Sequence, residues 1–167
     1  EKPTLSKGIT LNKFIMDNIT FLKNVQVMKL GDVCELKNGN RIVKSKETDG
    51  IYPVYGSGYR SFNVNKFNRQ GKTCKIGRFA VSLDNCVILL NEKYYLNDSG
   101  LTIESKEKNI LSEYIWYYLL MNKNLIYLCV RGAAQANLSI DEFKNISIPI
   151  ITLEEQKIIV DKIDKNM

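Results

Sequence analysis

Apolar positions fall into blocks along the chain, and each change of spacing marks an element. Within the polar first 29 residues, Leu11, Phe14, Ile15, Ile19 and Leu22 recur at intervals of three and four, which predicts an amphipathic helix. This helix either docks on the domain that follows or ends an upstream one. Short apolar alternation restarts over Val27 to Leu36, and Asn38-Gly39-Asn40 then reads as a tight turn. Pro53 with the Gly56-Ser57-Gly58 trio predicts a loop whose glycines permit close backbone approach to another molecule. From Cys74 the pattern becomes strand-like: Cys74 to Gly77, Cys86 to Leu90, Tyr94 to Leu96 and Leu101 to Glu104 are short β-rich runs between turn residues. A longer helix is expected over about Ser112 to Leu128, with Ile115, Trp116, Leu119, Leu120 and Ile126 in the core. Arg131-Gly132 to Asn137 reads as a polar loop, Ser139 opens a helical turn, and Ile146 to Ile150 is a brief strand. The order predicts an α+β fold: one domain with a mostly β core and flanking helices.

The last segment carries more information. Thr152 followed by Glu155 is a capping box, so a helix should start at Thr152-Leu153. Within it Leu153, Gln156, Val160, Ile163 and Met167 alternate spacings of three and four, the a/d seam of a coiled coil. Two heptads are too few for a stable isolated coiled coil. Either the helix packs on its own domain, or it is the start of a longer helix cut at Met167.

Composition narrows the chemistry. At 167 residues, 44% apolar and 25% charged, the chain suits one globular domain and not a disordered one. It has no histidine, which excludes Ser-His-Asp and Cys-His catalysis and histidine metal sites. Cys34, Cys74, Cys86 and Cys129 contain no C-x-x-C pair, so a four-cysteine zinc site is not expected. The apolar neighbours of Cys86 and Cys129 fit buried, reduced thiols of a cytoplasmic protein, although spacing alone leaves extracellular disulfides open. No apolar run approaches the ~18 residues of a membrane span and no signal peptide is visible. The first residue is Glu1 and not methionine, as in a segment of something longer.

The net charge of +6 is local. Residues 37–78 hold ten basic side chains (Lys37, Arg41, Lys44, Lys46, Arg60, Lys66, Arg69, Lys72, Lys75 and Arg78) against Glu47 and Asp49, a net +8. The rest of the chain has fourteen basic and sixteen acidic residues, a net −2. Tyr52, Tyr55, Tyr59, Phe62 and Phe67 interleave with these cations, as do Asn63, Asn65, Asn68 and Gln70. Cations neutralise phosphates, and arginine or side-chain amides also read base edges. A solvated basic face with a few core aromatics would show the same composition.

Familiar catalytic motifs are missing. With prolines only at 3, 53 and 149, there is no Asp/Asn-Pro-Pro-aromatic methyltransferase loop. Gly56-Ser57-Gly58 lacks the third glycine of a dinucleotide fingerprint, and no Walker A lysine motif exists. Glu104-Ser105-Lys106, with Asp84 or Asp98 upstream, keeps one enzymatic alternative open: a Mg²⁺-dependent nuclease whose carboxylates hold the metal while Lys106 orients water.

Several segments taken in order resemble one family. Lys29-Leu30-Gly31-Asp32-Val33 and Asn38-Gly39 are similar to its opening, and Ile51 to Gly58 resembles its "YPVYGSGG" loop. Arg69 to Arg78 is similar to its glycine-then-strand "I-x-R" element, and Tyr95 to Ser99 to the segment before its middle strand. Gly132 to Leu138 matches "G-x-x-Q-x-N-L", and Ile148-Pro149-Ile150 with Leu153 to Ile159 resembles its "IPxPxLEEQKxI" helix start. The family is the DNA target-recognition domain of type I restriction–modification specificity subunits, or its counterpart in fused restriction–modification methyltransferases. Ala80, where many relatives have glycine, and Ile151, where many have a second proline, depart from the pattern.

The resemblance implies a non-catalytic component that binds double-stranded DNA sequence-specifically, reading one half of a bipartite target. An adenine-N6 methyltransferase subunit or fused domain would carry the chemistry and the S-adenosylmethionine, leaving this chain without a cofactor or metal. It implies three regions: an N-terminal helical extension or linker (1–27), the recognition domain (28–151), and the start of a spacer or dimerisation helix (152–167) that pairs with a second recognition domain. Arg60, Lys66, Arg69, Lys72, Lys75 and Arg78 are then expected on DNA, with Gly56, Ser57 and Gly58 allowing close approach. Arg78 and Gln70 would take base edges and the lysines phosphates. Arg131, Gln135 and Asn137 form a second polar cluster that either faces DNA or holds its loop against the domain.

Overall fold

A computed structural model of the chain describes residues 25–44 and 49–166. The helix expected around Leu11 to Leu22 lies outside these residues, as do Lys46 and Met167. The first half runs β1 (Gln26–Lys29), α1 (Leu30–Val33), β2 (Cys34–Asn38), β3 (Tyr52–Tyr55), β4 (Arg60–Val64) and β5 (Lys72–Gly77). Next come β6 (Val87–Asn91), β7 (Tyr95–Leu96), β8 (Gly100–Ser105), α2 (Ser112–Met121) and α3 (Lys123–Tyr127). The chain closes with β9 (Val130–Arg131), β10 (Asn137–Leu138), α4 (Ile140–Lys144), β11 (Ser147–Ile150) and α5 (Leu153–Asn166). The architecture is α+β, as expected.

Two sheets organise the domain. The larger is antiparallel with order β2-β8-β5-β6, and the smaller has order β4-β3-β7 with β3 and β7 parallel. Alternation along β5 and β8 decides what each face of the larger sheet meets. Cys74, Ile76, Leu101 and Ile103 enter the main core with Tyr114, Ile115, Tyr118 and Leu119 of α2. Thr73, Lys75 and Thr102 point the opposite way, towards the smaller sheet. Aromatic residues on α2 bury their rings and satisfy their polar ends: Trp116 Nε1 donates to Ile103 O at 2.7 Å, and Tyr114 Oη to Pro149 O at 2.6 Å. Cys34, Cys74, Cys86 and Cys129 are free, buried thiols.

Three local outcomes differ from the sequence expectation. The helix over 112–128 is broken at Asn122, whose side-chain Nδ2 donates to Tyr118 O at 2.8 Å and whose backbone leaves the helical region at φ −124°, ψ 45°. Residues 52–55 are a strand and not part of the loop. Pro53 is tolerated in this central strand because the register against β4 shifts between Pro53 and Tyr55. Residues 60–64 also form a strand, unrecognised because only Phe62 and Val64 of this edge segment turn inward.

The C-terminal helix starts as its capping box requires: Thr152 N donates to Glu155 Oε2 and Glu155 N to Thr152 Oγ1, both at 3.2 Å. Its seam packs on the chain's own body. Ile159 and Ile163 join the main core. Gln156 is fully buried, accepting from Leu111 N at 2.8 Å and donating to Asn109 O (2.9 Å) and Ile151 O (3.0 Å). Tyr117 Oη of α2 donates to Asp164 Oδ1. Ile158, 50% exposed, faces outward. The a/d pattern thus reports intramolecular packing within residues 153–166.

Gln156→Ala removes a fully buried side chain and its bonds to three part-buried backbone groups and should cost about 1–3 kcal/mol, read as a lower urea midpoint. Ile158→Ala should stay within about 0.5 kcal/mol of wild type. Equal effects of the two would contradict the packing of α5.

Candidate nucleic-acid interface

The two sheets are joined through a polar layer built from residues the sequence places in a DNA-binding stretch. Lys75 of β5 is fully buried, and its Nζ donates to Gly56 O at 2.9 Å and Ser57 O at 3.0 Å. Burial pushes its ammonium pKa down to about 8. Around this contact the glycines give room to the chain's own backbone. A Cβ on Gly77 would lie 2.7 Å from Ser57 O, and one on Gly100 would lie 2.7 Å from Gly56 O. A Cβ on Gly56 would collide with Ser99 Oγ, which also accepts from Ser57 N at 3.0 Å. Lys75, fully buried, therefore leaves the set of DNA contacts, and the close approach at Gly56 and Ser57 is to the chain's own backbone: together they fix one sheet on the other. Gly58, where a Cβ would reach only Asn85 Nδ2 at 3.8 Å, borders open space.

Arg69 is a second correction. Its Nε donates to Thr102 Oγ1 (2.9 Å), Nη1 to Asn68 O (3.0 Å), and Nη2 to Lys37 O (3.0 Å) and Asn38 O (3.1 Å). Four of the five guanidinium N–H groups are spent inside the fold. Next to it the Asn68 side chain pairs with β7 as a strand would, accepting from Leu96 N at 2.6 Å and donating to Leu96 O at 3.0 Å. Arg131 binds Leu128 O (2.7 Å), Val130 O (2.8 Å) and Glu142 Oε1 (2.7 Å), so it clamps its own loop. Asn137 faces Arg131 across the β9–β10 pair. Lys66 Nζ stands 5.7 Å from the Tyr95 ring centroid.

The other candidates divide between the two ends of β5, roughly 20 Å apart by strand rise. At the first end Gln70 and Lys72 border a groove of about 430 Å³ shared with Lys37, Glu104, Glu113 and Trp116. Lys37 is neutralised there by Glu104. At the second end, loops converge on Arg78. Its backbone N donates to Ser99 O (3.0 Å), its Nη1 to Asp98 O (3.2 Å), and its carbonyl accepts from Leu138 N (2.8 Å). Its guanidinium lies 5.1 Å from the Phe79 ring centroid. Val81 N ties the same segment to Ala136 O at 2.8 Å, and Tyr59 Oη reaches Asp84 O at 3.5 Å. Asn97 clips Ile42, beside Arg41, through Oδ1 (3.1 Å) and Nδ2 (3.2 Å). Arg78, Tyr59, Phe79 and Asn85 thus share one loop-built end, and the loop carrying Gln135 is tied to it through Ala136 and Leu138. Phe79 and Asn85 were not singled out from sequence; their only signal is their place around Arg78.

The nuclease set is not assembled. Glu104 pairs with Lys37, Lys106 Nζ reaches Gly31 O at 3.4 Å, and Asp98 lies at the opposite end of β8. Among the described residues no three His, Cys, Asp or Glu side chains cluster as metal ligands do.

The family described as the type I restriction modification DNA specificity domain matches residues 22–166. The chain belongs to this family. A relative, the type I restriction enzyme MjaVIII specificity subunit of Methanocaldococcus jannaschii, is 25% identical over 141 residues, 79% of this chain and 33% of the relative. The type-I restriction-modification system S subunit from M. genitalium has the same fold, with a TM-score of 0.70 at 21% identity over 84% of this chain and 38% of that one. The HsdS subunit from Thermoanaerobacter tengcongensis gives 0.63 at 15% identity over 97% and 44%. This specificity domain spans about a third of the curated relative's length and under half of each solved subunit. Its departure at Ala80 has a structural consequence: Ala80 sits at φ 49°, the conformation glycine adopts freely.

In the specificity domain Lys75 should make stability depend on pH. Between about 8 and its ordinary 10.5 the unfolded chain keeps a proton that the folded chain has released, so the site's contribution to stability rises with pH in that window. A neutral amine still has two N–H groups for the two carbonyls. Comparing urea unfolding of wild type and Lys75→Met at about pH 7.5 and about pH 9.5 should show the difference moving in favour of wild type at the higher pH. A constant difference would mean that Lys75 titrates as a solvated amine.

Proposed function

We propose that this chain reads a short duplex DNA sequence, one half of a bipartite target, and performs no chemistry itself. What supports the reading is Arg78, held by Ser99, Asp98 and Leu138 on a segment that Val81 ties to Ala136 of the Gln135 loop, in a member of the DNA specificity domain family. Arg78 spends one N–H on Asp98 O, leaving the rest of its planar fork for a guanine edge. Gln135, exposed at the tip of its loop, suits an adenine edge, and exposed Arg60 suits a phosphate. The net charge of +6 favours encounter with a polyanion.

Methyl transfer belongs in this reading to a partner methyltransferase, as a subunit or a fused domain, which also holds S-adenosylmethionine. The outward side of α5, with Lys157, Ile158, Asp161, Lys162 and Lys165, is the surface offered to the helix of a second recognition domain. No helix among the described residues is long and apolar enough to cross a membrane, and we place the protein in the cytoplasm, with its DNA.

Selection from a random duplex pool should enrich one short sequence. On that duplex Arg78→Ala should lose about 1–3 kcal/mol of discrimination against random DNA. Equal losses on both would take Arg78 off the base-reading list. Arg60→Ala should weaken cognate and random DNA alike and flatten the dependence of log K on log salt by about 0.9. Lys72→Ala, at the other end of β5, should leave affinity and salt slope unchanged; a flattened slope there would move the interface to the opposite end.

A further inference from the structure

The same loop end exposes apolar side chains that packing of the fold does not account for. Phe79 is 37% exposed and Leu83 48% exposed on the 78–85 segment, and Tyr59, 64% exposed, bonds to that segment through Asp84 O. The segment is not loose. Arg78 is held through both its backbone groups, Val81 is buried with its N–H on Ala136 O, and Ser82 N donates to Asn85 Oδ1 at 2.9 Å. Between these pegs Ala80 is the one non-glycine residue with positive φ among the described residues. That conformation is strained for a residue with a Cβ. The strained residue directly follows Phe79, so the bend that carries the strain is the one that presents the ring to solvent. The Arg78 guanidinium lies against the ring.

We infer that Phe79 is an intercalating wedge: it enters the duplex at one base step and unstacks it, while Arg78 contacts the adjoining pair. The inference rests on reading this end as the DNA interface. An apolar ring fixed on a stiff turn beside a cation is what a wedge needs, because the Arg78 guanidinium can move from the ring to the DNA while the ring replaces base stacking with its own. The step it selects is an easily unstacked one, pyrimidine followed by purine, so Phe79 would add sequence preference through deformability without a hydrogen bond to any base.

The test uses the full chain and the duplex it selects from a random pool, intact or nicked at each step in turn, and with 2-aminopurine placed along the site. Wild type should raise 2-aminopurine fluorescence at one step and bind the duplex nicked at that step more tightly than the intact one. Phe79→Ala should lose about tenfold in affinity for intact duplex, lose the fluorescence rise, and regain most of the affinity on the duplex nicked at that step. Phe79→Leu should retain the fluorescence rise. Phe79 is 37% exposed, so binding is compared under conditions in which urea unfolding shows wild type and both variants fully folded. If wild type selects a duplex but Phe79→Ala binds it equally with no fluorescence change at any step, the wedge is wrong and the DNA reading stands. A wild type that selects no duplex overturns both.

Discussion

One buried lysine sets how the two sheets of this domain meet. Lys75 projects from the middle of the larger sheet and binds two successive carbonyls of the loop that ends β3, and no other side chain reaches both Gly56 O and Ser57 O among the described residues. Desolvating an ammonium is costly, and the depressed pKa records that cost. The return is geometric. Fixing Gly56-Ser57 over Gly77 and Gly100 sets where Gly58 to Arg60 begin, and the backbone of Arg78 continues directly from Gly77. The spacing between Arg60 and Arg78 is therefore inherited from a buried contact and not from the loops themselves.

This arrangement divides the basic stretch into two kinds of cation. Lys75 and Arg69 are consumed by backbone carbonyls between the sheets, and Arg131 by its own loop. Arg41, Arg60, Arg78 and, at the far end of β5, Lys72 are carried outward by the frame those residues stiffen. A recognition surface benefits from such stiffness, since a guanidinium held in place loses less conformational freedom when it meets a base edge. Strain at Ala80 belongs to the same economy: backbone strain is tolerated where the surrounding structure over-determines it, and pegs on both sides do so here.

Much of the fold was legible in the chain. The strand runs from Cys74, Cys86 and Leu101 and the capping box at Thr152 follow from local pattern and correspond to observed elements. β4 was not legible, because Arg60-Ser61-Phe62-Asn63-Val64 offers two inward apolar positions and an edge strand needs no more. The break at Asn122 depends on one amide turning back on Tyr118, which periodicity does not register. The site was legible in kind and not in place. Charge and amide content pointed to residues 37–78, yet whether Lys75 faces solvent or a second sheet is decided by tertiary contact. Asn68 looked like a base reader in composition and serves instead as a piece of backbone pairing. Three of the motifs that resemble the specificity-domain family, the Gly56 loop, the segment ending at Arg78 and the Gly132 to Leu138 loop, are brought together by the fold.

In the proposed function a duplex sits on the loop end around Arg78. Amide hydrogen exchange with and without duplex DNA at low salt measures this directly, peptide by peptide. Residues 58–60, 78–85 and 131–137 should be protected, with residues 69–73 unchanged. Protection confined to 69–73, or none anywhere at a DNA concentration that saturates binding, would contradict it.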